Sequence, residues 1–165
     1  MTALTDLIEG LQATPLSTTI RESDWVFPTI ESAHVIAFVV VVGSIAIVDL
    51  RLMGLASRNR RIDDLIAQLL PITWTSFAFA ATAGLLLFIG KPITYTHSVF
   101  FLGKMLLLLF AAANMGVFHL FVEQRVKGLA ADQPTPLAAR VSGLVSLSLW
   151  IAIVAFGRWI GFTTV

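Results

Sequence analysis

Three histidines offer the chemistry that this sequence makes available. His34, His97 and His119 lie within or at the ends of long apolar runs, and the chain contains no cysteine. Because an ionisable side chain is costly inside a bilayer, a histidine in such a run indicates a functional site. The lack of cysteine excludes disulfides, thiolate zinc sites and iron–sulfur clusters held by thiolates. Imidazole ligation of a haem iron or another metal remains open to this chain.

The first two histidines are the predicted axial ligands of a b-type haem. His34 and His97 stand near the same end of the first and third apolar runs, so parallel helices would hold them at similar depth. Two imidazole ligands leave no open coordination position, which suits electron transfer. Phe38 and Phe101 each follow one helical turn later, and we expect them to pack against the porphyrin. The site requires His97 to point into the bundle.

Lys104 is the third predicted contributor to this site. It lies about two turns inside the third run, too deep for its ammonium to reach either membrane surface easily. It therefore needs an acceptor within the protein, such as a haem propionate, the carboxylate of Glu31, or a backbone or hydroxyl oxygen. A structural ion pair and a role in handling a proton or substrate are both open.

A second polar cluster is predicted at the far end of the helices. At about 100° per residue, Asn114 and His119 share one helical face with Lys104, and this face must turn away from lipid. Asp49 lies roughly 22 Å along the first helix from its histidine, at the level of Asn114. We expect Asp49 and Arg51 to pair by charge. The cluster consists of Asp49, Arg51, Asn114 and His119.

Four apolar runs provide the elements that position these residues. They cover residues 30–50, 66–89, 97–122 and 141–160, and a helix needs about 20 residues to cross a hydrocarbon core. Open sheet edges cannot face lipid, and the runs do not alternate as barrel strands do. The predicted fold is all-α: a transmembrane four-helix up-down bundle over residues 29–165, with short connections that make sequential helices neighbours. Thr135 and Pro136 resemble the N-cap and first residue of the fourth helix.

Residues 1–28 form a separate N-terminal segment. Leu4, Leu7, Ile8 and Leu11 recur at helical spacing beside polar residues, which indicates an interfacial helix. A docking surface for a partner is the alternative. Basic residues favour one side of the membrane, so we predict a bacterial inner-membrane protein with both termini in the periplasm. On the cytoplasmic side these residues are Arg51, Arg58, Arg60, Arg61, Arg125, Lys127 and Arg140.

Composition restricts the function classes. Hydrophobic residues make up 57% of the chain, charged residues 13%, and the net charge is +1. This composition is typical of a protein embedded in a lipid bilayer. The sequence has no run of basic residues of the kind that binds nucleic acid. The sequence shows neither a nucleophile paired with a base nor a phosphate-binding loop, the features that would indicate an enzyme acting on its own. We predict a membrane-embedded cytochrome b-like electron-transfer protein, an anchor or accessory subunit of a larger membrane or periplasmic redox complex. A cofactor-free accessory subunit and a copper-handling protein using Met105 and Met115 are the alternatives.

Several segments resemble a known family. They are RESDWVFP at residues 21–28, Glu31 and His34, and DLRLMG at residues 49–54. Together with Lys104 and Asn114, these segments are similar to a family of small four-span bacterial membrane proteins of unassigned function. The resemblance covers most of the chain and implies an inner-membrane four-helix protein in which His34 and the Asp-Leu-Arg motif are special. In architecture the chain is also similar to small haem b membrane subunits and to copper-resistance D proteins.

Overall fold

Helices supply the regular structure throughout the described chain. The computed structural model describes residues 3–131 and 133–163, and the side chain of Leu4, part of the N-terminal pattern, lies outside the description. The third long helix, α6, continues through a π-helical turn at Phe118–Val122 into α7. The helices are α1 (Ala3–Gln12), α2 (Pro15–Glu22), α3 (Val26–Leu52), α4 (Ile62–Gly90), α5 (Pro92–Thr96), α6 (Val99–Val117), α7 (Glu123–Val126) and α8 (Leu137–Thr163).

Four of these stretches are long and apolar enough to cross a membrane. They are Val26–Leu52, Ile62–Gly90, Val99–Val126 and Leu137–Thr163. The predicted all-α, four-span architecture is confirmed, and the chain is a multi-pass membrane protein. Each helix extends beyond its apolar run at one end or both, because polar residues continue the helix at its ends. Asp63 and Asp64, for example, occupy the first turn of α4, where acids favour the helix dipole.

The packing order of the long helices differs from simple sequential contact. Helix α3 packs against both α4 and α8, and α8 packs against α6. Helices α4 and α6 follow one another along the chain, yet they are not closely packed together. The short helix α5 lies between them in the sequence. For this pair the described contact is between side chains near α5, where the Phe88 ring of α4 stacks on the Phe101 ring of α6.

The two ends of the bundle are built differently. At the basic end, defined by the connections 53–61 and 127–136, a core cluster joins the end of α3 to the start of α4 and to the π-helical turn. Its buried members include Leu52, Ile62 and Phe118. A second cluster, around Val41 and Trp150, lies midway along the bundle. The long helices are thus held together at the basic end and at mid-depth.

At the terminal end, defined by α1, α2 and α5, the N-terminal segment covers the bundle. Helix α2 docks on the last residue of α4, where Ile20 is buried against Gly90 and the Ser17 hydroxyl donates to the Gly90 carbonyl over 3.4 Å. Helix α1 packs against α5. Leu7 and Trp25 remain exposed. The segment is helical as predicted, with apolar side chains left free to meet a membrane interface.

Candidate functional site

His34 occupies a niche on α4 that two small residues create. Its Nδ1–H donates to the Ala80 carbonyl over 2.8 Å, because a carbonyl oxygen only accepts. A Cβ added to Gly84 would lie 3.1 Å from the His34 Cε1, so the glycine lets the ring sit close against α4. With Nδ1 committed to the backbone, Nε2 is the nitrogen that is free to bind a ligand or a metal.

His97 lies in different surroundings. It follows the last residue of α5, is exposed, and its Nδ1 donates to the Ile93 carbonyl over 2.9 Å. The next residue, Ser98, caps α6 by accepting from the Phe101 backbone amide. His97 borders a surface recess that also includes Thr163 of α8. The contacts described for His34 and His97 share no residue, so the structure does not join them in one site, and haem ligation by the pair stays a prediction.

Phe38 and Lys104 meet inside the bundle beside His34. The Phe38 ring stacks on His34 with centroids 5.9 Å apart, and the Lys104 Nζ lies 4.9 Å above the same ring. On its other side, Lys104 fits against Gly157, where an added Cβ would lie 3.3 Å from Nζ. Within the described residues, Lys104 has no hydrogen-bond acceptor and no ion-pair partner, so neither Glu31 nor another of the possible protein acceptors is bound to it.

Phe101 belongs to a separate aromatic group at the terminal end. Its ring stacks on Phe88 at 5.6 Å and packs against Tyr95 at 5.2 Å. Burial, together with the nearby Glu31 carboxylate, raises the pKa of the Tyr95 phenol, which therefore stays neutral. The two phenylalanines predicted to flank one porphyrin thus pack in different groups.

A cavity lies in the other half of the bundle, towards the basic end. It has a volume of about 260 Å³ and is bounded by α3, α4, α6 with its π-helical turn, and α8. Most of its lining is aliphatic or aromatic, including Trp74, Phe77 and Trp150. Trp74 and Met115, on α4 and α6, are 48% and 38% exposed. Because these two helices are not closely packed, the cavity reaches the lipid-facing surface between them.

Asp49 is the acidic residue of this cavity. It is only 4% exposed, and its Oδ2 makes no hydrogen bond within the part of the chain that the structure describes. The Ser146 hydroxyl of α8 donates a hydrogen bond to this carboxyl group, which leaves Oδ2 without a partner. A buried carboxylate oxygen without a donor is costly. Asp49 Oδ2 is therefore available to form a hydrogen bond with a molecule in the cavity.

Arg51 does not pair with Asp49, contrary to the prediction. Residues two apart lie on different faces of a helix, and Arg51 turns to the connections of the basic end. It is 2% exposed, and its nitrogens donate to the Arg60 carbonyl over 2.8 Å, the Thr135 hydroxyl over 3.3 Å and the Ala131 carbonyl over 3.2 Å. Helix α8 begins at Leu137 with Pro136 at the N-cap, one residue later than predicted, and the Thr135 hydroxyl accepts from Arg51 instead.

The other two members of the predicted cluster do border the cavity. The Asn114 amide donates to the Ser142 carbonyl over 3.2 Å and accepts from the Ser142 hydroxyl over 3.4 Å. His119 lies in the π-helical turn, an irregularity that often accompanies functional sites, and its Nδ1–H donates to Glu123 over 2.7 Å. Asp49, Asn114 and His119 thus surround one cavity, and only Asp49 retains an unused buried polar atom.

These features define a four-span membrane protein with an interior cavity that contains one buried acid. The chain belongs to the family of unknown function DUF6644, whose model matches residues 22–163. No curated protein and no solved structure matches it. The comparisons show no likeness to haem b subunits or to copper-resistance proteins. The family match begins at the end of α2 and includes all four spans.

Proposed function

We propose that this chain is a membrane-embedded binding protein that takes a lipophilic small molecule from the bilayer. The observation that carries the proposal is the cavity of about 260 Å³ among the four spanning helices. Sites for small molecules are typically concave, mostly apolar and supplied with few polar groups, and helix bundles commonly form them between helices. The lining of this cavity has that character.

The position of the opening supports a lipid-soluble ligand. Residues on both sides of the gap between α4 and α6 are apolar and exposed, among them Trp74 and Met115. A ligand dissolved in the bilayer can therefore enter sideways without crossing the basic end, where Arg51 ties the two connections together.

Tryptophan fluorescence tests the proposal directly. In a Trp25→Phe, Trp159→Phe background, the remaining Trp74 and Trp150 both line the cavity. The neutral quencher 1-bromoadamantane is added to this protein in phosphatidylcholine nanodiscs. Ala112→Phe places a ring in the cavity lining, and Ala113→Phe is the matched control because the neighbouring alanine does not line it.

We expect saturable quenching in the background protein and in Ala113→Phe, and at least about tenfold weaker binding in Ala112→Phe, because a filled cavity excludes the probe. Equal, non-saturating quenching in all three proteins would mean that the probe only partitions into lipid, and the proposal would fail.

Electron transfer through a b-type haem, in an anchor or accessory subunit of a redox complex, is a second candidate function. It is favoured by the free Nε2 of His34 beside Lys104, which lacks an acceptor among the described residues and would suit a haem propionate. Its test is the absorption spectrum of the purified protein. A Soret band with bis-histidine character, lost in both His34→Ala and His97→Ala, is the expected result, and a colourless protein from haem-replete cells contradicts it.

A further inference from the structure

The unpartnered oxygen of Asp49 indicates that the ligand carries a polar group in addition to its apolar part. Asp49 is 4% exposed and lines the cavity, and no described donor satisfies its Oδ2. The other polar groups nearby are already paired: Asn114 with Ser142, His119 with Glu123, and the Ser146 hydroxyl with the Asp49 carboxyl group itself. The cavity therefore lacks one hydrogen-bond partner, placed against Asp49 Oδ2.

The carboxylate also lacks a counter-charge. The described residues that line the cavity include no lysine and no arginine. Arg51 is the nearest cation along α3, but its guanidinium is committed to the Arg60 and Ala131 carbonyls and the Thr135 hydroxyl. An ionised acid at this depth has a large desolvation penalty unless a cation is held beside it.

The walls of the cavity suit a cation with an apolar body. Trp74, Phe77 and Trp150 line it, and the faces of aromatic rings attract a positive charge, tryptophan most strongly. Met115 adds a polarisable thioether to the same lining. An ammonium group beside Asp49 would thus meet the carboxylate, while its hydrocarbon part extends along the cavity towards the aromatic rings and fills the apolar space.

We infer that the ligand is a lipophilic amine, bound as its ammonium form with an N–H donated to Asp49 Oδ2. This inference rests on the proposed binding function, because it names the class of molecule that the cavity selects. It adds a charge requirement that an apolar cavity alone does not impose.

Two probes of matched shape separate the charge requirement from simple cavity filling. 1-Aminoadamantane and 1-adamantanol share one hydrocarbon cage and differ in the ammonium and hydroxyl groups. Binding of each is measured by saturation-transfer NMR in zwitterionic phosphatidylcholine nanodiscs, with empty discs subtracted. Asp49→Asn retains the shape of the side chain and removes its charge. Asp64→Asn is the matched control, because Asp64 is an exposed acid at the same end of the bundle.

We expect the amine to bind the wild-type protein at least about tenfold more tightly than the alcohol, since hydrogen bonds between charged groups are stronger than neutral ones. This preference should fall below about twofold in Asp49→Asn and persist in Asp64→Asn. Equal binding of amine and alcohol to the wild-type protein overturns the inference and leaves the binding function intact. If neither probe binds saturably, both the inference and the proposed function fail.

Discussion

At the scale of single residues, two charged side chains in the same turn of α3 have opposite tasks. Arg51 donates from all three side-chain nitrogens to the connections of the basic end, whereas Asp49 faces the cavity with an unused oxygen. The sequence places both residues near the end of an apolar run but does not show that they separate. Helical phase could have predicted this separation, because residues two apart on a helix point to different faces.

Arg51 should be a main determinant of stability at the basic end. Arg51→Met removes charge-assisted hydrogen bonds to three oxygens and leaves the acceptors unsatisfied, so we expect a loss of about 3 kcal/mol. The matched control is Arg61→Met, since Arg61 is half exposed and forms only a surface ion pair with Asp63; its expected loss is below about 1 kcal/mol. Unfolding by sodium dodecyl sulfate, followed by circular dichroism, measures both values. Similar losses in the two variants would argue against this stabilising role of Arg51.

At the scale of elements, small residues have distinct roles that spacing alone does not reveal. Ala80 and Gly84, four residues apart on α4, form the niche for His34. Ala112 and Gly116 have the same spacing on α6, yet no atom approaches within 4 Å of the position of a Gly116 Cβ. The spacing predicts a helix face that allows close approach, but only the partner determines whether another side chain or helix packs there.

At Gly143, α8 lies in close contact with α3. An added Cβ would lie 3.0 Å from the Asp49 carbonyl oxygen and 3.1 Å from the Leu52 Cβ. Backbone atoms cannot move aside as a flexible side chain can, so Gly143→Leu should destabilise the protein by about 1–3 kcal/mol through overpacking.

Gly116→Leu is the control for Gly143→Leu, because the space beside Gly116 is open. It should leave the midpoint of detergent-induced unfolding unchanged or slightly higher, since leucine favours a helix more than glycine does. If Gly116→Leu destabilised the protein as much as Gly143→Leu, the helix contact would not be the cause.

At the scale of the whole molecule, hydropathy predicted the four spans and the all-α class, because each apolar run exceeds the thickness of a hydrocarbon core. It did not predict that α4 and α6 pack less closely than the other sequential helices, because close packing depends on side chains that meet only after folding. The pairing of His34 with His97 was predicted from depth and helical phase, and the structure places His97 on the exposed side of the α5–α6 junction. The inner-membrane location and the periplasmic termini stay predictions from the basic residues.

The most direct test of the interior binding site uses two methionines of α6. Met115 lines the cavity, whereas Met105 is 43% exposed and does not line it. In protein labelled with ¹³C at the methionine methyl groups and held in nanodiscs, 1-adamantanol should shift the Met115 resonance saturably and show nuclear Overhauser effects to it. The Met105 resonance should change little. Equal, non-saturating changes at both methyl groups would contradict the interior binding site, because they would place the probe in the lipid around the bundle and not in the cavity.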